Sequence, residues 1–262
     1  MARIKLYRTT VIPKSESGKT LMRTSGLTLK THIAMNNGPE RILVTGANGN
    51  LGKVVVAHLI RSGFHVVAID GRNGLIDRPD YPTVDYLQAD LSDEHSVRIL
   101  LDKVLDSGGQ LKGAVLLAGG FSTGTLTETG EEELQAMFRL NFLTVYHIVR
   151  ALSPHFQSQD GGGQFITVGA RPALKPQEGR SMVAYTLSKT LVKAFTEMVD
   201  ASAGGTIRAT TIIPGIIDTE ANRRAMPEAD RSSWVSPQAI AEIIGFKFSD
   251  AGKAIRNPVI IL

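Results

Sequence analysis

The feature that most constrains this chain is one turn. Arg41–Thr45 (RILVT) is a short apolar run that stops at Thr45-Gly46-Ala47-Asn48-Gly49-Asn50-Leu51-Gly52. Asn50–Ser62 then sets Leu51, Val54, Val55, His58 and Leu59 on one helical face. A chain that leaves a strand and enters a helix within a few residues needs backbone free of Cβ atoms. Gly46 permits the tight exit, Gly49 lets backbone approach a pyrophosphate, and Gly52 lets helix and strand pack closely. The helix start offers its first N–H groups to phosphate. The segment predicts a dinucleotide site built from Gly46, Asn48, Gly49, Asn50, Leu51 and Gly52.

The rest of the chain repeats the theme. Further strands are predicted over Phe64–Ile69, Val84–Ala89, Gly113–Leu117, Gln164–Val168, Ile207–Ile213 and Val259–Leu262. Between them run helical patterns over Leu91–Asp106, Glu131–Phe156, Ser181–Ala201 and Pro237–Phe248. The strands are apolar on both faces, as in a parallel sheet covered by helices on each side. The pattern is that of a doubly wound α/β fold. Two long loops, Ala170–Arg180 and Gly215–Ser236, follow strand ends, where such folds carry their sites.

Composition closes off other chemistry. The 262 residues include no cysteine, which excludes disulfides, thiolate metal sites and a cysteine nucleophile. The six histidines fall in no HxxxH or HxH spacing, so no metal is expected, and no GxSxG elbow is present. No apolar run approaches the ~20 residues a membrane span needs. The net charge of +4 arises at one end: residues 1–37 carry seven basic residues against one acidic, and the remainder carries 22 against 24. The body is slightly acidic, so neither a nucleic acid nor a membrane is expected as a partner. Residues 1–37 read as a basic arm or transit-like segment ahead of a domain over 38–262, with a start at Met35 as a third reading. The expected compartment is the cytoplasm, with organellar import by residues 1–34 as the alternative.

Asp70 ends the second strand, 24 positions after Gly46. A carboxylate there accepts both hydroxyls of an adenosine ribose and repels a 2′-phosphate, which favours NAD(H). Arg72 can pair with such a phosphate and keeps NADP(H) open. Asp90, with Leu91, follows the third strand. It is placed either to meet the adenine amino group or to cap the helix that starts near Ser92.

Tyr185 and Lys189 lie four apart near the start of a helix and share a face. An ammonium beside a phenol lowers the phenol's pKa from about 10 toward neutrality. Such a tyrosine can give its proton to a carbonyl or imine as hydride arrives, while the lysine holds the nicotinamide ribose.

Through TGANGNLG at Thr45–Gly52, LAGG at Leu117–Gly120, Asn141, YTLSK at Tyr185–Lys189 and PGIIDT at Pro214–Thr219, the chain resembles the short-chain dehydrogenase/reductase family. The resemblance runs over about Arg41–Leu262. It implies a single Rossmann domain with a mostly parallel seven-stranded sheet. It implies that Ala118, Gly119 and Gly120 support the sheet beside the cofactor, and that Asn141 helps order a water-linked proton path to Lys189. Pro214, Gly215, Ile217 and Thr219 are implied to contact the nicotinamide and phosphate region. The chain departs from the family where a serine usually precedes the tyrosine: Val168-Gly169-Ala170-Arg171-Pro172 has no hydroxyl. Thr123 and Thr125 offer hydroxyls instead. The missing serine, Ala118–Gly120, Gly169-Ala170 and the stretch from Asn222 through Trp234 resemble the dihydropteridine reductase-like branch.

The expected function is an NAD(P)-dependent oxidoreductase acting on a small-molecule carbonyl or imine, assembled as a homodimer or homotetramer through its two long helices. Two alternatives stand beside it. A non-catalytic NAD(P)-binding redox sensor would use the same scaffold. An extended-type sugar-nucleotide epimerase or dehydratase shares TGxxGxxG but needs a larger substrate domain than the 73 residues after Lys189.

Overall fold

The computed structural model describes residues 38–71, 81–202 and 204–262. The reading of residues 1–37 and the expectation for Arg72 lie outside the described residues. Strand β1 (Arg41–Thr45) leads to helix α1 (Asn50–Arg61), β2 (His65–Asp70), β3 (Val84–Gln88), α2 (Glu94–Asp106) and β4 (Leu111–Leu116). A long helix follows in three pieces: α3 (Glu131–Met137), a π-helical turn (Phe138–Leu143) and α4 (Thr144–Ser158). Next come β5 (Gly163–Val168), α5 (Val183–Ser202) and β6 (Ile207–Ile213). The chain closes through α6 (Glu220–Ala225), α7 (Pro237–Phe248), α8 (Asp250–Ala254) and β7 (Val259–Ile261).

The seven strands form one sheet in the order β3-β2-β1-β4-β5-β6-β7, and every pairing is parallel. Side chains alternate across it and build two cores. Leu43, Val67, Ile69, Ala114 and Phe165 pack with α2, α4 and α5. Ile42, Val44, Val66, Ala68, Val115 and Ile166 pack with α1 and α7. Burial on both faces is why the strands read as continuous apolar runs. Strand order reverses between β1 and β4, which opens a crevice beyond the carboxyl ends of these strands. Among the described residues no helix is long and apolar enough to cross a membrane.

Three local expectations change. The helix expected from Leu91 begins at Glu94 and is capped by Asp93, whose carboxylate accepts from Ser96 N. The single α-helix expected over Glu131–Phe156 is interrupted by the π turn, which the apolar spacing of the sequence does not reveal. The loop after β6 contains α6, a helix with no buried residue and hence no apolar stripe to betray it.

Candidate active site

The crevice is walled on one side by main chain. Gly46 leaves β1 at φ +65°, in the left-handed region that strains other residues. A Cβ on Gly52 would stand 2.0 Å from the Gly46 carbonyl oxygen, so α1 can close on the turn only with glycine there. Gly49 caps α1 without a side-chain hydrogen bond, and no acid occupies the first turn. Neither a capping side chain nor an acid of the first turn occupies the amides that open α1, the donor set a pyrophosphate fits. Thr45 Oγ1 accepts from Leu117 N at 3.1 Å and Ala118 N at 3.2 Å, tying the end of β1 to the end of β4.

Asp70 reaches into this turn. Asn48 N donates to Asp70 Oδ2 at 2.6 Å. Burial pushes the Asp70 carboxyl above its usual range, opposed by the Asn48 hydrogen bond and by Lys53. Asp90 caps no helix: its Oδ1 accepts from Ser92 N at 2.9 Å and Ser92 Oγ at 2.7 Å. Leu91 is buried, with its carbonyl oxygen 3.1 Å from His147 Nδ1.

On the opposite wall, Tyr185 and Lys189 lie in the first turns of α5, both half-buried. Lys189 Nζ donates to the Val168 carbonyl at 3.0 Å and stands 5.9 Å from the Tyr185 ring centroid. The expected acidified phenol is not what this arrangement produces. Burial pushes Tyr185 up to about 12 and Lys189 down to about 8. Both groups lose water on burial, which disfavours the charged form of each.

Asn141, inside the π turn, is buried. Its Oδ1 accepts from Gly120 N at 2.9 Å; its Nδ2 donates to Gly120 O at 3.2 Å and to Ser188 Oγ at 2.9 Å. Ser188 Oγ donates onward to the Tyr185 carbonyl at 2.7 Å. The chain of hydrogen bonds joins the β4 turn to the turn of α5 that carries the phenol. A Cβ on Gly119 would meet Asn141 Oδ1 at 2.5 Å and Lys189 Nζ at 3.6 Å, so glycine there lets amide and ammonium converge.

The substrate side is made of loops. Phe121, 61% exposed, sets its ring against Tyr185 at 5.0 Å and 73°. Gly124 N donates to Ser181 O at 2.8 Å and Val183 N to Gly124 O at 3.0 Å, which fastens this loop to the start of α5. Thr123 is exposed, and Thr125 Oγ1 donates to Glu128 Oε2 at 2.8 Å, closing its own turn. Ala170 is 8% exposed. After β6, Pro214 is buried and Gly215 half-buried. Asp218 N donates to Val235 O and Val235 N to Ile216 O, both at 2.8 Å, forming a neck under α6. Thr219 Oγ1 caps α6 by accepting from Asn222 N at 3.2 Å, and Ile217 O accepts from Asn222 Nδ2 at 2.8 Å. Arg223 grips Asp218 at 2.6 and 2.7 Å and holds its carboxyl below the usual range. Among the described residues no group of three or more His, Asp or Glu side chains is placed to hold a metal.

The sequence model for short chain dehydrogenases matches residues 40–230. The chain belongs to the short-chain dehydrogenase family. It is, with that family, an NAD(P)-binding oxidoreductase. Relatives of this short-chain dehydrogenase include a dihydropteridine reductase of Dictyostelium discoideum, 25% identical over 207 residues, 78% of this chain and 85% of that one. A diacetyl reductase of Staphylococcus epidermidis is 28% identical over 188 residues, 68% of this chain and 71% of that one. Among solved structures, a 3-ketoacyl-(acyl-carrier-protein) reductase from Brucella melitensis complexed with NADH superposes with TM-score 0.74 at 21% identity, covering 85% of this chain and 96% of that one. The protein ElxO with NADP bound superposes with TM-score 0.76 at 21% identity, covering 86% and 97%.

Four groups that organise the short-chain dehydrogenase site escaped the sequence reading: Thr45, Val168, Ser188 and Phe121. Thr45 and Ser188 sit inside the motifs already quoted, and their hydroxyls were the available signal. Val168 acts through its carbonyl, which no side-chain pattern reveals.

Proposed function

We propose that this enzyme reduces a small-molecule carbonyl or imine, with Tyr185 as the proton donor, Lys189 as its charge partner and Asn141 as the positioning residue behind both. The observation that carries the reading is that Asn141 and Lys189 converge on Gly119, with the Tyr185 ring 5.9 Å from Lys189 Nζ, beside the Leu117-Ala118 backbone that abuts Gly46. The nicotinamide supplies hydride to the acceptor carbon. With its pKa near 12, Tyr185 enters the reaction protonated, as an acid must be. Its proton goes to the acceptor's oxygen or nitrogen, and the tyrosinate left behind is stabilised by the Lys189 ammonium until a proton returns. Ala170 offers no hydroxyl, so Tyr185 is the donor at the acceptor's heteroatom.

Gly46, Asn48, Gly49, Asn50, Leu51 and Gly52 hold the pyrophosphate, and Asp70 reads the ribose and favours NADH. Asp90 and Leu91 flank the adenine; Ala118, Gly119, Gly120, Pro214, Gly215, Ile217 and Thr219 border the nicotinamide. The catalytic domain is residues 38–262, working in the cytoplasm. Leu134, Phe138, Leu187, Leu191 and Met198 are exposed apolar residues on α3, the π turn and α5. They favour assembly of two or four copies through these helices. The test is a panel of ketones, acyl-thioester ketones and quinonoid dihydropterin, followed by nicotinamide absorbance with NADH and with NADPH. Oxidation of the nucleotide by one acceptor class is expected; no oxidation by any class contradicts the proposal.

A further inference from the structure

At the end of the sheet away from the crevice, three cations surround one cavity. It has a volume of about 50 Å³ and lies where the end of α5, the start of β6, the last turn of α7 and the α8–β7 link meet. Asp200, Arg208, Thr210, Lys247, Arg256 and Asn257 line it. The space suits roughly four water molecules or one phosphate group.

Among the described residues none of the three cations joins an ion pair. Lys247, 2% exposed, donates to the Gly252 carbonyl at 3.1 Å and to the Ile255 carbonyl at 3.0 Å, and Arg208 donates to the Lys253 carbonyl. These partners are neutral, and both cations keep donors in reserve. The Arg256 guanidinium leans on Gly205, where a Cβ would meet Nη1 at 3.4 Å and Nη2 at 3.8 Å. The one carboxylate at the cavity, Asp200, accepts from Ala209 N at 3.0 Å through Oδ1. Thr210 is 2% exposed, and its hydroxyl has no hydrogen-bond partner among the described residues. Asn257 Oδ1 accepts from Val259 N at 3.1 Å, which leaves its amide N–H groups to donate.

The lining therefore holds three positive charges against one negative, with a buried hydroxyl among them. Its spare donors come from β6, α7 and the α8–β7 link, so they approach from several directions, as the oxygens of a tetrahedral oxyanion require. We propose that this cavity binds a phosphate group, either inorganic phosphate or the head of a phosphate monoester, at a site separate from the glycine turn. Burial and the Arg208 charge hold Lys247 below its usual range, opposed by Asp200, and a bound anion would add to the opposition.

The test titrates NADH-saturated enzyme with inorganic phosphate by calorimetry, against chloride at the same ionic strength. The glycine turn is then occupied beforehand. Saturable binding is expected in the wild type. Arg256→Gln and Thr210→Val are each expected to weaken it about tenfold or more, with NADH affinity and the Tm in chloride unchanged, and Arg256→Lys to recover part of the loss. Arg256 is exposed, so its replacement leaves the fold intact and decides the outcome alone if Thr210→Val is unstable. Glycerol 3-phosphate distinguishes the two sources: tighter binding than inorganic phosphate assigns the cavity to a monoester, weaker binding to the free ion. No saturable binding by either, or equal binding in the wild type and Arg256→Gln, overturns the proposal.

Discussion

The two walls of the crevice are made of different material. The cofactor wall is main chain: the left-handed Gly46, a Gly52 with no room for a methyl group, and the amides of Leu117 and Ala118 bound to Thr45. The proposed substrate wall is side chain: an exposed Phe121 set against Tyr185, and α6 with no buried residue. Backbone geometry recognises what every nicotinamide dinucleotide has in common. Side chains on loops recognise what distinguishes one acceptor from another, and they change without disturbing the core. In the proposed reading the first wall answers to the cofactor class, and the second sets specificity.

The comparison breaks first at Gly52. Gly52→Ala forces a Cβ into the Gly46 carbonyl and is expected to destabilise the protein by about 3 kcal/mol or more and to abolish NADH binding. Thermal unfolding and a cofactor titration measure both; an intact variant would mean the wall is not as tight as described. A smaller effect is expected at Asp70. Asp70→Asn keeps an acceptor for Asn48 N but removes the charge that repels a 2′-phosphate. The ratio of kcat/KM for NADH over NADPH should fall about tenfold, and an unchanged ratio contradicts the ribose role.

The smallest effect is a slope. Lys189 titrates near 8 in the folded chain against 10.5 when unperturbed. Between those values the unfolded chain binds a proton that the folded chain has lost, so stability rises with pH across that window. Tyr185, raised to about 12 from 10.0, opposes this only above pH 10, where the folded chain keeps the proton. The Tm of the wild type relative to Lys189→Met should climb from pH 8 toward 10.5. A flat difference would show that Lys189 is not desolvated.

Most of the cofactor wall was legible in the sequence because its causes are local. Glycine spacing, the apolar runs and Asp70 at a strand end follow from sterics and period within a few residues. The substrate wall was less so. Burial raises Tyr185 where YTLSK predicts a lowered phenol, and Lys189 donates to the Val168 carbonyl, 21 residues away, which no reading of YTLSK contains. The π turn that carries Asn141 lies between two α-helical pieces, and nothing in its residues announces it. Arg171 stands beside the missing serine in the sequence, but its approach to Gly215 joins residues 44 apart.

The central claim is that the Tyr185 hydroxyl delivers the proton that accompanies hydride, and Tyr185→Phe tests it most directly. With NADH saturating and the best acceptor of the panel, kcat should fall roughly a thousandfold while NADH affinity and Tm stay at wild-type values. Turnover at the wild-type rate in that variant would contradict the account.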